Sequence, residues 1–248
     1  MINESVIVAI IEARMNSSRL PGKHMLQANG KPMIQHLIER LQSVSVIDEI
    51  VLATTCNPSD DILIDVADKT SVGAFRGSED DVLGRVVGAA EDFGADVIVG
   101  ITGDCPVIDP LLVEQAILMF GHNSCSYLSN CFVPGLPGGM NTQVYRLLSL
   151  KMSAEMTNDP LDHEHVTSHM VRNPELFPPI YIVPPPDLHW PELVLELDEE
   201  ADYQFLKKII EYFGDQDPLF SCREIINLLK AHPEWLDINR NTRRKSFE

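Results

Sequence analysis

The stretch Ser5-Val6-Ile7-Val8-Ala9-Ile10-Ile11-Glu12-Ala13, followed at once by Arg14-Met15-Asn16-Ser17-Ser18-Arg19-Leu20-Pro21-Gly22-Lys23, decides the fold. Its first half is β-branched and almost wholly apolar without alternation, the pattern of a parallel strand covered on both faces. Its second half gathers three cations, hydroxyls and a glycine in an otherwise acidic chain. A basic loop taken at random is more often a solvated turn, but this one directly follows what reads as the central strand. Ligands of open α/β sheets bind outside the carboxyl ends of strands, and polyphosphate requires cations together with donors that approach closely.

Outward from this stretch the pattern keeps alternating. Pro32 opens a helix over residues 33–41, where Ile34, Leu37, Ile38 and Leu41 recur at helical spacing. Strands are predicted at 49–55 and 95–102, and helices at 60–69, 80–93 and 110–120. This alternation predicts an α/β chain with a doubly wound, mainly parallel sheet. Beyond residue 122 the order breaks. The segment 122–139, rich in Gly and Pro, reads as an irregular excursion. It is followed by a strand near 142–145, helical stretches at 146–156 and 161–172, strands at 180–183 and 194–198, and a closing helix at 201–213. The basic tail 239–248 is expected to fray.

A chain of 248 residues suffices for one large α/β domain, and 44% hydrophobic with 23% charged residues is ordinary globular usage. The formal charge of −18 argues against a general nucleic-acid surface, which needs a basic footprint. The five cysteines are scattered without a C-x-x-C pair and read as reduced thiols. The apolar run at 6–11 is too short to span a bilayer and has no basic leader, so no membrane association and a cytoplasmic location are expected.

Several carboxylates stand out. Asp104, in Thr102-Gly103-Asp104-Cys105-Pro106, should emerge at the C-terminal end of the 95–102 strand beside the basic loop, where Mg²⁺ would have to sit to bridge carboxylate and phosphate oxygens. Asp198 ends Val194-Leu195-Glu196-Leu197-Asp198 and, taken alone, reads first as a helix N-cap. Asp80 and Asp81 are equally suited to cap the helix after them, and Asp109 reads as a cap. The segment Asp162-His163-Glu164-His165-Val166-Thr167-Ser168-His169 tempts a metal reading, but Thr167 stands where the zinc-protease order needs histidine, and a helix surface is preferred.

The string I-x-A-R-M-x-S-x-R-L-P-G-K, running on into Gly30-Lys31-Pro32-Met33-Ile34, resembles the opening of the cytidylyltransferases that include 3-deoxy-manno-octulosonate and acylneuraminate cytidylyltransferases and the spore-coat polysaccharide group. The spore-coat group matches best. T-G-D-C-P-x-I-D-P and R-G-S-x-D-D-V-L-x-R extend the likeness to residues 102–110 and 76–85. It implies a nucleotide-diphospho-sugar transferase sheet, occupying 1–248 as one domain, with 122–192 as an acceptor-side and dimerisation insertion.

By resemblance, Ala13, Arg14, Ser17, Ser18, Arg19, Gly22 and Lys23 wrap the triphosphate of CTP, and Arg76, Ser78, Thr102 and Asp104 complete the nucleotide site. Lys23, Arg14, Arg19 and Asp104 carry catalysis, and Asp104 and Asp198 hold Mg²⁺. Asn141, Gln143, Glu164 and His165 face the acceptor, expected to be a sugar acid of the 3-deoxy-ulosonic or nonulosonic type. A homodimer is implied, with Tyr127, Phe132, Val133 and Leu136 covered by the partner. Two departures matter. Around Asp198 the family reads R-L-T-V-D, and at 139–145 it reads G-L-D-x-E-V-F, where this chain has amides at Asn141 and Gln143. A nucleotide-sugar-dependent glycosyltransferase, or a relative that binds nucleotide without turnover, are the alternatives.

Overall fold

A computed structural model describes residues 5–240 and 242. Strand β1 spans Ile7–Glu12; β2, Gln27–Ala28, and β3, Lys31–Pro32, form a small hairpin, and α1 is Met33–Gln42. Then come β4 Glu49–Thr55, α2 Asp61–Thr70, β5 Gly73–Gly77, α3 Val82–Asp92, β6 Val97–Thr102 and α4 Pro110–Gly121. The second half carries β7 Tyr127–Ser129, β8 Gln143–Arg146, α5 Leu147–Met156, α6 Pro160–Glu164, α7 Ser168–Arg172, β9 Pro179–Tyr181, α8 Glu200–Phe213 and α9 Cys222–Ala231.

The seven-stranded sheet has the order β5-β4-β1-β6-β8-β7-β9, parallel from β5 to β6, with β8 antiparallel to both β6 and β7. The missing alternation in β1 has a direct cause. Ile7, Ala9 and Ile11 pack against one helical layer including α1, α2 and α4, while Val8 and Ile10 pack against α3, α5 and α7 on the other. A third apolar cluster joins α8 and α9 to Met33, Met140, Leu193, Leu195 and Leu197.

This winding positions the site. From β1 the chain moves outward to β4 and β5, and then returns through α3 to β6 on the opposite side of β1. The C-terminal ends of β1 and β6 therefore flank the point where the winding reverses, the crevice where such sheets bind ligands. Glu12 pairs with Thr102 at that point, and Gly103 N–H donates to Glu12 O at 2.9 Å.

The second half differs from expectation in several places. Residues 194–198 form no strand; a single bridge joins Val194 to Gly138, because this stretch packs on the 138–140 turn and not on the sheet edge. The expected helix at 161–172 is two short helices, α6 and α7, interrupted at residues 165–167. The excursion contains β7, and Tyr127, expected to need a partner chain, is fully buried within its own sheet. Phe132 stays 42% exposed, whereas Leu136 packs against the α8–α9 cluster. Strand β5 and helix α9 had no counterpart in the sequence reading. Of the tail, Asn239 is not frayed but buried, donating to Asp202 Oδ1 at 2.9 Å; residues 241 and 243–248 lie outside the described residues.

Candidate active site

The basic loop is held from beneath. Asp60 accepts hydrogen bonds from Thr54 Oγ1, Thr55 Oγ1 and the Met15 N–H, the last at 2.9 Å, tying the loop to the end of β4. Burial works against the charge on this carboxylate, but the bonds from Thr55, Met15 and Thr54 hold its pKa below the usual range. Gly22 closes the loop at φ +74°, a left-handed conformation that favours glycine, and its N–H donates to Met15 O at 3.0 Å.

The turn delivers Lys23 into the crevice. Only 5% of Lys23 is exposed, and its Nζ lies 2.7 Å from Asp104 Oδ1 and 3.1 Å from Asp198 Oδ1. Arg19 reaches the same Asp198 oxygen at 2.8 Å. Four residues from three segments far apart in sequence thus meet around one point, with two carboxylates sharing one ammonium. Asp198 is not the cap of α8; that role falls to Glu199, which forms a capping box with Asp202. Asp109 and Asp81 do cap α4 and α3, accepting from Leu111 and Gly84 N–H.

Not every expected residue joins this cluster. Ala13 is buried at the exit of β1; Ser17 Oγ accepts from Leu20 N–H at 3.5 Å, and Ser18 and Thr102 are exposed. Arg14 turns to Glu79, at 3.5 Å. Arg76 is spent on the outer edge of the sheet, donating to Thr55 O, Asn57 O and Asp61 Oδ1. Ser78 Oγ accepts from Asp81 N–H at 3.1 Å. On the other side, Gln143 accepts from Thr167 Oγ1 at 2.8 Å, and Asn141 donates to Glu196 Oε1 at 3.0 Å. Glu164 and His165 are exposed at the end of α6.

Three groups in the crevice escaped the sequence reading. Glu12 is half-buried at the end of β1; burial pushes its pKa up to about 7, with Arg85 pulling it down and Asp104 adding to the rise. Arg85, buried on α3, donates to Ser78 O and leaves its Nε unpartnered among the described residues. His24 is buried beside Asp104, 3.8 Å from its oxygen, and burial lowers its pKa against the pull of that carboxylate. A charged residue inside an apolar strand was the signal for Glu12, and Arg85 closes the quoted 76–85 motif.

A cytidylyltransferase family model matches residues 8–221, a span that contains the loop, both site aspartates and the 139–145 segment. The chain belongs to the cytidylyltransferase family. Spore coat polysaccharide biosynthesis protein SpsF of Bacillus subtilis is 30% identical over 233 residues, covering 92% of this chain and 95% of that protein. A 3-deoxy-manno-octulosonate cytidylyltransferase of Trichlorobacter lovleyi is 40% identical over 116 residues, 46% of this chain and 44% of the relative. Among solved structures, a cytidylyltransferase from Leptospira borgpetersenii superposes with a TM-score of 0.90 at 29% identity, covering 98% of this chain and 100% of the other. The chain is therefore a nucleotidyltransferase, and the glycosyl-transfer alternative loses its ground. Among the described residues, no helix is long and apolar enough to cross a membrane.

Proposed function

We propose that the chain transfers the cytidylyl group of CTP to a hydroxyl of a sugar-acid acceptor of the 3-deoxy-ulosonic or nonulosonic type, releasing pyrophosphate, in surface polysaccharide or glycan biosynthesis. The observation that carries this reading is the buried Lys23 ammonium, set between Asp104 and Asp198 at the reversal point of the sheet. An isolated structural ion pair has no need of two carboxylates from separate segments with Arg19 behind them. The octulosonate relative's name supports the cytidylyl group and the sugar-acid acceptor, and the spore-coat relative's name supports polysaccharide biosynthesis.

The residues present fit Mg²⁺. This ion is commonly held by one or two carboxylates plus substrate phosphates, keeping several waters, and two carboxylates converge here. Asp104 and Asp198 would hold the ion, which when bound supplies charge neutralisation at the phosphates.

In the reaction an acceptor oxygen forms a bond to the α-phosphorus while the bond from that phosphorus to the bridging oxygen breaks, its electron pair leaving on pyrophosphate. The hydroxyl proton passes to solvent or to a neighbouring carboxylate. Lys23 and Arg19 offset charge on the triphosphate and on the departing group, and the loop orients both partners; positioning and charge account for most catalysis in such transfers. The protein works as a homodimer in the cytoplasm. Incubating it with each nucleoside triphosphate, Mg²⁺ and pooled sugar acids while recording pyrophosphate tests the reading. CTP-dependent pyrophosphate is expected; release of a nucleoside diphosphate, or preference for another base, would overturn it.

A further inference from the structure

The histidine-bearing segment of α6 has no part in the reaction as derived, and its contacts give it a different task. Helix α6 lies against α3, and His163 stands at the contact. Its Nδ1 is 2.7 Å from Asp81 Oδ1, and its Nε2 is 3.4 Å from Thr157 O, just past the end of α5. One ring thus bridges the start of one helix and the end of another.

Asp81 is itself fixed. It accepts from Gly84 N–H at 2.8 Å as the cap of α3, and its carboxylate lies over Gly84 so closely that a Cβ there would collide with it. The same turn carries Arg85, which donates to Ser78 O and pulls on the Glu12 carboxyl in the crevice. The other charges around the ring are engaged elsewhere. Asp162 is buried, accepting from Thr157 Oγ1 at 2.6 Å and from Arg172 Nη2 at 2.6 and 2.7 Å. His169 on α7 faces Ser153 Oγ, 3.0 Å from its Nδ1.

Both atoms that face the His163 ring are acceptors, a carboxylate oxygen and a carbonyl oxygen. A neutral imidazole has one N–H and one lone pair and can serve only one of them, whereas an imidazolium donates to both. Loss of a proton therefore sets lone pair against lone pair at one contact and removes the charge from the other. An ion pair with side chains 29% and 44% exposed contributes little by itself; the second acceptor is what ties the bridge to the proton. The bond to Asp81 raises the His163 pKa above its ordinary 6.5, with burial opposing, the Asp81 charge and the Thr157 bond adding to the rise, and Asp162 contributing last. For Asp81, burial works against the charge, but the bonds from His163 and Gly84 hold its pKa below the ordinary value, helped by the charges of His163 and Arg85.

We propose that His163 is a proton-operated latch between α6 and the start of α3, closed when the ring carries both protons and released when it loses one. The inference stands apart from the transfer reading. A pKa raised on folding means that the latch is fully closed below pH 6.5 and is lost as pH climbs through the raised value. Helix α6 has five residues, and the His163 and His165 N–H groups donate to Asp159 O and Leu161 O within that one turn, so release should open the turn locally.

The test has two readings. Nitrogen–proton correlation spectra follow the His163 ring through its titration in the wild type and in Asp81→Asn, which keeps a capping side chain and loses the charge. The wild-type ring should titrate above 6.5, with both nitrogens protonated below the midpoint, and Asp81→Asn should bring the midpoint down to 6.5 or lower. Amide exchange at residue 165, expressed as protection relative to the intrinsic rate, is then compared at about pH 6 and about pH 8 in the wild type, His163→Arg and His163→Gln. Protection should fall at least about fivefold between the two in the wild type and stay within about twofold in His163→Arg, whose charge is permanent. In His163→Gln it should be low at both. A wild-type midpoint at or below 6.5, equal wild-type protection at the two pH values, or the same pH dependence in His163→Gln, which would pass it to His165 or His169, would each overturn the latch.

Discussion

Replacing Lys23 by Met removes the ammonium while keeping most of the stem, and its effect divides between stability and turnover. In the free protein the charge lies 2.7 Å from one carboxylate and 3.1 Å from the other. Removing one partner of a fully buried pair costs about 3–5 kcal/mol. The side chains of Asp104 and Asp198 are 31% and 17% exposed, so solvent screens part of the loss, and about 2 kcal/mol is a fitting figure after that discount. For a chain of this size each kcal/mol moves Tm by roughly 2–4 °C, giving a fall of about 4–8 °C. Because two carboxylates are left facing each other, Mg²⁺ should restore more of the Tm in the variant than it adds to the wild type. Turnover should fall at least about a hundredfold, equivalent to about 2.7 kcal/mol of transition-state stabilisation, since the cation acts most strongly on charge that develops as pyrophosphate departs. Differential scanning calorimetry with and without Mg²⁺, and pyrophosphate-release kinetics, read both effects. Kinetics near those of the wild type would remove Lys23 from the site, and an unchanged Tm would show that the geometry around its ammonium is not worth the energy assigned to it.

Asp104→Asn should weaken Mg²⁺ binding in the presence of CTP more than Asp198→Asn does, because Asp198 is also neutralised by Arg19; calorimetry showing equal metal affinity for Asp104→Asn and the wild type would refute its role as a ligand. Glu12→Gln should raise Tm at pH 8 and leave it nearly unchanged at pH 4. A carboxyl whose pKa rises from 4.5 to about 7 on folding binds its proton more tightly in the native state, so it lowers stability as pH climbs through that window. A Tm difference independent of pH would show that Glu12 is not so perturbed. A homodimer is expected to bury about 1,600 Å² in total, and light scattering that returns 27.7 kDa at micromolar concentration would refute it.

The first half of the chain was legible because two independent signals agree there. The uniform apolar run of β1 can only be satisfied by helices on both faces, and the cationic loop after it has meaning only at a strand's C-terminal end. Asp104 followed from the same logic applied to β6. Where a residue's surroundings come from distant segments, that logic stopped. β5, with the sequence Gly-Ala-Phe-Arg-Gly, is an edge strand too short and too glycine-rich to show a pattern, and α9 followed a loop without a strand to announce it. Residues 194–198 alternate as a strand would, yet they pair with a glycine turn; the period of two was real, and what it reported was one buried face and one site face.

Asp198, taken alone, reads as a cap for a simpler reason. An aspartate before a helix is a cap by default, and only the arrival of Lys23 and Arg19 from the far end of the chain gives it another partner. Arg76 shows the converse, a motif arginine whose three donor nitrogens are already satisfied by the end of β4 and by Asp61 in the free protein. For Arg76 to contact a nucleotide it must give up those bonds, whereas Lys23 and Arg19 need only exchange one set of anionic oxygens for another. On that ground the loop, and not the 76–78 segment, is the part of the site already organised before the nucleotide arrives.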